Sequence, residues 1–326
     1  MPRKNENVLM SPLVSILIPA YNAAPFLKRS VGSALAQTYA NIEVVIVDDG
    51  STDDTTLIAD DLAAQDHRVR VVHQSNQGPA EARRTAFKAS TGDYIAYLDA
   101  DDELLPEAIT FLYDKIAEYR LDLAFGSMIK VVGEKSFKIL HAIEGVLTGD
   151  EFLHYLFDRR CMCAQGEYLC KREAWSDAVF PTSGDVFPNE DVLMYILLSE
   201  HVSRVGFFNV PTMKYYYVPT SLTSTSRLLG SLDGWEAFFG HVENNLCRRG
   251  KLEELGRELL CMKIDRIAFY IYPLDASRPW ISDTLKEKRY HLPLRYTVLQ
   301  RLLRYPRLCH GLVITNRRMK KLLKRF

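Results

Sequence analysis

Three carboxylates close one short apolar run: Tyr94-Ile-Ala-Tyr-Leu98 is followed by Asp99-Ala100-Asp101-Asp102. The run is β-branched and aromatic and opens on a Gly92-Asp93 turn, so it reads as a buried strand. Carboxylates crowded at its end repel one another and are costly to desolvate without a positive charge among them. On an extended chain alternate residues point the same way, so Asp99 and Asp101 can face one ligand together. Oxygen donors of this kind suit a hard divalent ion, Mg²⁺ or Mn²⁺, carrying substrate phosphates. A solvated acidic turn capping a helix that begins near Pro106 is the plainer alternative. A second acidic pair, Glu190-Asp191, stands at the head of the apolar run Val192 to Ile196. There it is either the cap of a helix or a base; a helix N-terminus favours the charged form of an acid, which lowers its basicity and speaks for the cap.

The elements that must position these groups alternate. Strands are expected at Val14–Pro19, Ile42–Val47, Val69–His73, Tyr94–Leu98 and Asp122–Phe125. Helices are expected from Pro25 to about Gln37, after Asp53 to about Ala64, from Pro79 to about Ser90, and from Pro106 to Tyr119. The strands are apolar throughout, the pattern of a parallel sheet covered on both faces. Ligands of such sheets collect beyond the carboxyl ends of the strands. Pro19-Ala-Tyr21-Asn22, Asp48-Asp49-Gly50-Ser51 and Asp99 to Asp102 should therefore converge on one edge. Neither a Gly-x-Gly-x-x-Gly after the first strand nor a Gly-x4-Gly-Lys-Ser/Thr occurs, which disfavours dinucleotide and P-loop sites. Arg83 and Arg84 are candidates to neutralise phosphates, and Tyr21 could stack on a base or simply pack.

In order and spacing, Val14-Ser-Ile-Leu-Ile-Pro-Ala-Tyr-Asn22, Glu43-Val-Val-Ile-Val-Asp-Asp-Gly-Ser-Thr-Asp53, Asn76-Gln-Gly-Pro-Ala-Glu-Ala-Arg83 and Gly92 to Asp102 resemble the family 2 glycosyltransferases. The resemblance implies a GT-A, Rossmann-like α/β fold with a mostly parallel sheet, helices on both faces and a helical C-terminal extension. It implies inverting transfer of a hexosyl or N-acetylhexosaminyl group from a nucleotide sugar, a UDP-sugar above all, with Mn²⁺ or Mg²⁺. The acceptor would be a hydroxyl of a growing bacterial surface glycan, including a lipid-linked one. By position, Pro19 and Tyr21 would flank the base beside Asn22, and Asp49 would accept from its ring N–H. Arg83 would lie near base or phosphates, Asp101 would hold the metal, and Asp99 would contact ribose or the metal's water shell. Asp191 would be the base, with Glu190 its neighbour. Relatives carry a basic residue near Val218 that this chain lacks; Lys214, Ser221 or Arg227 could substitute. A sugar nucleotidyltransferase would need a glycine-rich loop after the first strand, and none is present. An inactive sugar-nucleotide or glycan binder is the other rival, against which Asp99, Asp101 and Asp191 all speak.

Of 326 residues, 47% are hydrophobic and 25% charged, as for a globular chain. Residues 1–227 are expected to form the catalytic domain, with a nucleotide half at about 12–126 and an acceptor half at 127–227. Residues 228–326 are expected to form a helical region. The six cysteines fit no zinc spacing and read as reduced thiols. His154, His201 and His241 read as surface or packed residues. Net charge is zero, yet from Lys286 onward 13 Lys/Arg stand against a single acid. Ser231 to Tyr272 reads as helical. Val298, Leu299, Leu302 and Leu303 share one helical face, as do Met319, Leu322, Leu323 and Phe326, each opposed by basic residues. Such helices suit an anionic membrane surface. The unpatterned, polar Met1 to Asn7 is no signal peptide, and no run of eighteen apolar residues occurs. A cytoplasmic protein on the inner face of the membrane is expected. Without interleaved aromatics for base stacking, nucleic acid is not an expected partner.

Overall fold

The computed structural model describes residues 11–157, 164–181, 190–217, 232–270 and 279–303. The first half alternates as its apolar runs require: β1 Val14–Ala20, α1 Leu27–Leu35, β2 Ile42–Asp49, α2 Thr55–Gln65, β3 Val69–Gln74, α3 Pro79–Ala89, β4 Tyr94–Tyr97. These strands lie in the order β3-β2-β1-β4, all parallel, with Ala20 opposite Asp48 and Leu17 opposite Tyr97. Val14, Ile16, Ile18, Val44 and Ile46 enter one core with Leu27 and Val31 of α1. The alternate residues Leu17, Val45 and Val47 are equally buried but face the other way, where α3 packs. Fully burying one such side chain contributes about 1.5–3 kcal/mol.

Beyond β4 the sheet becomes mixed. A two-residue β5 (Glu103–Leu104) leads to α4 (Ala108–Tyr119) and a long β6 (Leu123–Val132). There follow β7 (Lys135–Ile139), β8 (Gly145–Thr148), α5 (Gly149–Phe157), β9 (Tyr168–Lys171), α6 (Glu190–Leu198) and β10 (Arg204–Tyr216). β9 is antiparallel to both β4 and β6, whereas β10 runs parallel to β6. Among the described residues β7 pairs only with β6. The strand expected to end at Phe125 thus continues to Val132, because hairpin and long-range partners take up its outer half.

The chain divides into two compact units. One holds residues 11–153, 164–181 and 194–217; the other holds 154–157, 190–193, 232–270 and 279–303. The expected helical stretch is two helices, Leu232–Arg248 and Leu252–Tyr270, broken at Gly250, whose φ of 66° few other residues adopt. Trp235, Phe238, Phe239, Val242 and Leu246 are buried, and Arg266 lies over the Trp235 ring at 5.0 Å. Further helices span Pro279–Lys286 and Leu294–Leu303. Leu299 of the last is buried, and Gln300 Nε2 donates to Thr284 O at 2.8 Å, so part of the face expected to meet a membrane is packed instead. The basic segment from Arg304 onward lies outside the described residues, as do Val186 to Asn189 and Ser221 to Arg227. Among the described residues no helix is long and apolar enough to cross a membrane. Cys170, Cys247 and Cys261 are free thiols.

Candidate active site

The parallel order brings the carboxyl ends of β1, β2 and β4 side by side. Asn22 follows β1 with φ 49°, a conformation asparagine tolerates. Its side-chain oxygen accepts from Thr52 N at 2.8 Å, and its backbone N–H donates to Ser51 Oγ at 3.0 Å. Asn22 therefore laces the β1 end to the β2 end. Tyr21 beside it projects outward, 49% exposed, in keeping with a stacking surface more than with packing.

At the end of β2, Asp48 and Asp49 turn to different partners. Asp48 accepts from Ser51 N, Thr56 Oγ1 and His73 Nδ1 at 3.0, 2.6 and 3.2 Å. Asp49 Oδ1 accepts from Gln74 Nε2 and Gln77 N at 2.7 and 2.9 Å, and Oδ2 from Gly78 N at 2.9 Å. Asp49, expected to meet a base directly, thus also shapes the loop that opens α3; one lone pair of Oδ2 is left for a ring N–H. Gly50 and Gly78 have φ of 71° and 87°, and a β-carbon on Gly50 would lie 2.7 Å from Asn76 N. No side chain fits that crossing.

Arg83 rises from α3, 6% exposed in its side chain, and its Nη2 donates to Asp99 Oδ1 at 3.0 Å. The buried Tyr97 hydroxyl donates to Arg83 O at 2.9 Å and ties α3 to β4. Arg84 faces elsewhere: its Nη2 donates to Pro181 O at 2.7 Å and its Nη1 pairs with Glu81.

The three carboxylates after β4 have separate fates. Asp99 is held by Arg83. Burial, then the neighbouring Asp99 charge, pushes the Asp101 carboxyl up to about 6. Arg29 of α1 donates to the Asp101 backbone carbonyl, not to its carboxylate. Asp102 is 1% exposed, and burial followed by the charges of Asp99 and Asp101 drives its carboxyl well above the usual range. Its Oδ1 accepts from Tyr216 N at 2.9 Å. Asp102 therefore does not cap α4, whose N-cap residue is Glu107; it pins β10 beneath the acidic turn.

A divalent ion fits this donor set. Asp101 is a partly buried oxygen donor with no basic side chain paired to it among the described residues, next to the half-engaged Asp99. A cation there would relieve the repulsion that raises Asp101. No three or more His, Cys, Asp or Glu side chains among the described residues are placed to hold a metal ion between them. One or two carboxylates completed by substrate phosphates and water is a usual setting for Mg²⁺.

Sequence reasoning missed the layer behind the turn. The Arg29 guanidinium sits 3.8 Å over the Tyr216 ring, and Tyr216 Oη donates to Glu103 Oε2 at 2.8 Å. Lys214, expected as a possible phosphate ligand, pairs with Glu103 at 2.9 Å. Nothing in local spacing links residues so far apart in the chain.

Glu190 and Asp191 occupy the first turn of α6, where Val192 N donates to Asp191 Oδ1 at 2.8 Å. That bond runs to the next residue inside the first turn, so it is a local contact at the helix start and not an N-cap bond. Both residues group with the second unit, while Pro19, Tyr21, Asn22, Asp49, Arg83, Asp99 and Asp101 belong to the first. His154 is a surface partner of Glu254, at 2.6 Å.

A parallel sheet with Arg83 and the aspartates Asp49, Asp99 and Asp101 gathered at its carboxyl edge is the usual setting of a ligand site in an α/β domain. Residues 15–175 match the model of glycosyl transferase family 2, and this segment is a domain of that family. It is 32% identical over 219 residues to the uncharacterized glycosyltransferase EpsJ of Bacillus subtilis, covering 66% of this chain and 64% of that protein. It is 48% identical over 113 residues to chondroitin synthase of Escherichia coli, covering 35% of this chain and 16% of that one. The chain thus spans less than two thirds of the length of these relatives. Its fold is that of S. aureus TarS 1-349 in complex with UDP-GlcNAc, with a TM-score of 0.67 at 18% identity over 91% of this chain and 87% of that one. This is the GT-A fold.

Proposed function

We propose that this chain transfers a sugar, with inversion, from a UDP-sugar to a hydroxyl of a growing glycan. The observation that carries the reading is Asp101, partly buried beside Asp99 and with no basic side chain in an ion pair with it among the described residues, at the carboxyl edge where β1, β2 and β4 end. Tyr21 would stack on the base, and Asp49 Oδ2 would accept its ring N–H. Arg83 would hold Asp99 and face the phosphates. Asp101, with Asp99 near it, would hold Mn²⁺ or Mg²⁺. The ion supplies a Lewis acid that stabilises the departing diphosphate. Asp191 would take the proton of the acceptor hydroxyl, with Glu190 orienting the acceptor. TarS was solved with UDP-GlcNAc, and chondroitin synthase builds on the same family of domain, which supports a UDP-linked donor and a polysaccharide acceptor. The acceptor is proposed to be lipid-linked, with the basic segment from Arg304 holding the protein at an anionic membrane.

A thermal-unfolding screen of UDP-, GDP-, dTDP- and CMP-sugars with Mn²⁺ tests the donor assignment. Binding raises apparent stability by mass action, so a UDP-sugar should give the largest shift. A chain stabilised by none of them is not a nucleotide-sugar transferase.

A further inference from the structure

Five of the nine large hydrophobic residues exposed among the described residues gather on one part of the sheet: Val132, Phe137, Leu140, Val210 and Tyr217. They surround the β6–β7 hairpin. Leu140 and Val210 flank a bonded pair, in which His141 N donates to Asn209 Oδ1 at 2.8 Å. Between residues 130 and 140 three lysines, Lys130, Lys135 and Lys138, stand against one acid, Glu134.

The ladder fixes which way these side chains point. Phe137 lies opposite Lys130, which lies opposite Tyr215, so the three share a face. The Lys130 ammonium stands 5.6 Å from the Tyr215 ring centroid and 5.5 Å from that of Tyr217. Tyr216 points to the opposite face, under Arg29. The aromatic-lysine row is therefore on the other side of the sheet from the Asp102–Tyr216 contact.

We infer that this hairpin is a membrane-interface contact for an anionic lipid surface. Aromatic rings with lysines are the side chains that settle at the headgroup boundary, apolar body inward and charge toward phosphate. The aliphatic Val132, Leu140 and Val210 gain from lipid burial and would gain little from a polar sugar ring. A second copy paired along the β7 edge is disfavoured, because Lys135 and Lys138 would be brought against their own counterparts. The contact is distinct from the basic C-terminal segment and independent of the transfer reaction proposed above.

The test uses the full chain with phosphatidylcholine vesicles, with and without phosphatidylglycerol. Lys130→Gln with Lys135→Gln, both on the face of Phe137, should lower partition into the anionic vesicles by about 25-fold, since each basic residue near such a surface contributes about fivefold. Melting temperature and UDP-sugar binding should stay unchanged, which separates failure of this contact from failure of the transferase reading. Phe137→Trp should give a blue-shifted emission on vesicle addition, quenched by brominated lipid. Unchanged partition of the lysine variant would overturn the inference and leave the C-terminal segment as the whole anchor. It would also be overturned if the variant lost binding to soluble chondroitin sulfate but not to vesicles, or if it dissolved a dimer.

Discussion

Arg83 Nη2 and Asp99 Oδ1 meet at 3.0 Å, with the arginine side chain all but buried and the aspartate about one-third exposed. The pair joins the helix after Gly78 to the end of β4, so one half of the site cannot shift without the other. Arg83→Gln keeps a donor but removes the charge. Charge-assisted bonds contribute about 1.5–3 kcal/mol, so donor affinity should fall about ten- to a hundredfold. Calorimetric titration with UDP checks this, and unchanged affinity would remove Arg83 from the donor site.

Asp102 predicts a split between two variants. Asp102→Asn keeps an acceptor for Tyr216 N–H in a place where burial already favours the uncharged acid, so it should be nearly neutral. Asp102→Ala orphans that buried N–H and should cost about 1–3 kcal/mol. Urea unfolding of both proteins measures the difference; equal losses would contradict the assigned contact.

Glu167 gives a pH dependence. It is fully buried, with Oε1 accepting from Ala164 N at 2.7 Å and Oε2 lying 3.8 Å from His141 Nε2. His141 Nε2 is 2.6 Å from Gly126 O, and burial holds its imidazole below the usual range, so it offers little charge. Burial drives the Glu167 carboxyl well above the ordinary value. The folded state then keeps a proton that the unfolded state releases, so stability falls as pH rises above about 4.3. Glu167→Gln abolishes that loss. Its melting temperature relative to the parent should climb as pH rises above about 4.3. A gap that is flat with pH would show a charged, compensated carboxylate.

Asp191→Asn should retain UDP binding and lower turnover about a hundred- to ten-thousandfold, the usual worth of a positioned base. Turnover equal to the parent would leave Asp191 with its local contact at the helix start and nothing more.

How much of this was legible follows from where each constraint resides. β1, β2 and β3 end within two residues of their expected limits, because continuous apolar runs closed by Pro19-Ala20, Asp48-Asp49 and His73-Gln74 are local signals. The convergence of Asn22, Asp49 and Asp99 could be inferred from parallel alternation alone. β10 could not: Pro211 interrupts it, its register shifts on either side, and its partners are β6, β8 and β5, all distant in the chain. For the same reason the acidic turn that holds Asp102 offered only a ligand site or a helix cap, when the partner of Asp102, Tyr216, lies 114 residues away. Arg29 belongs to no motif, and only packing reveals that it covers Tyr216.

In the proposed reaction Asp101 couples a divalent ion to the donor diphosphate. Calorimetric titration of UDP into parent and Asp101→Asn proteins, with and without Mn²⁺, tests this directly. Mn²⁺ should tighten UDP binding to the parent and leave the folded variant's binding unchanged. Equal tightening in both proteins would contradict it.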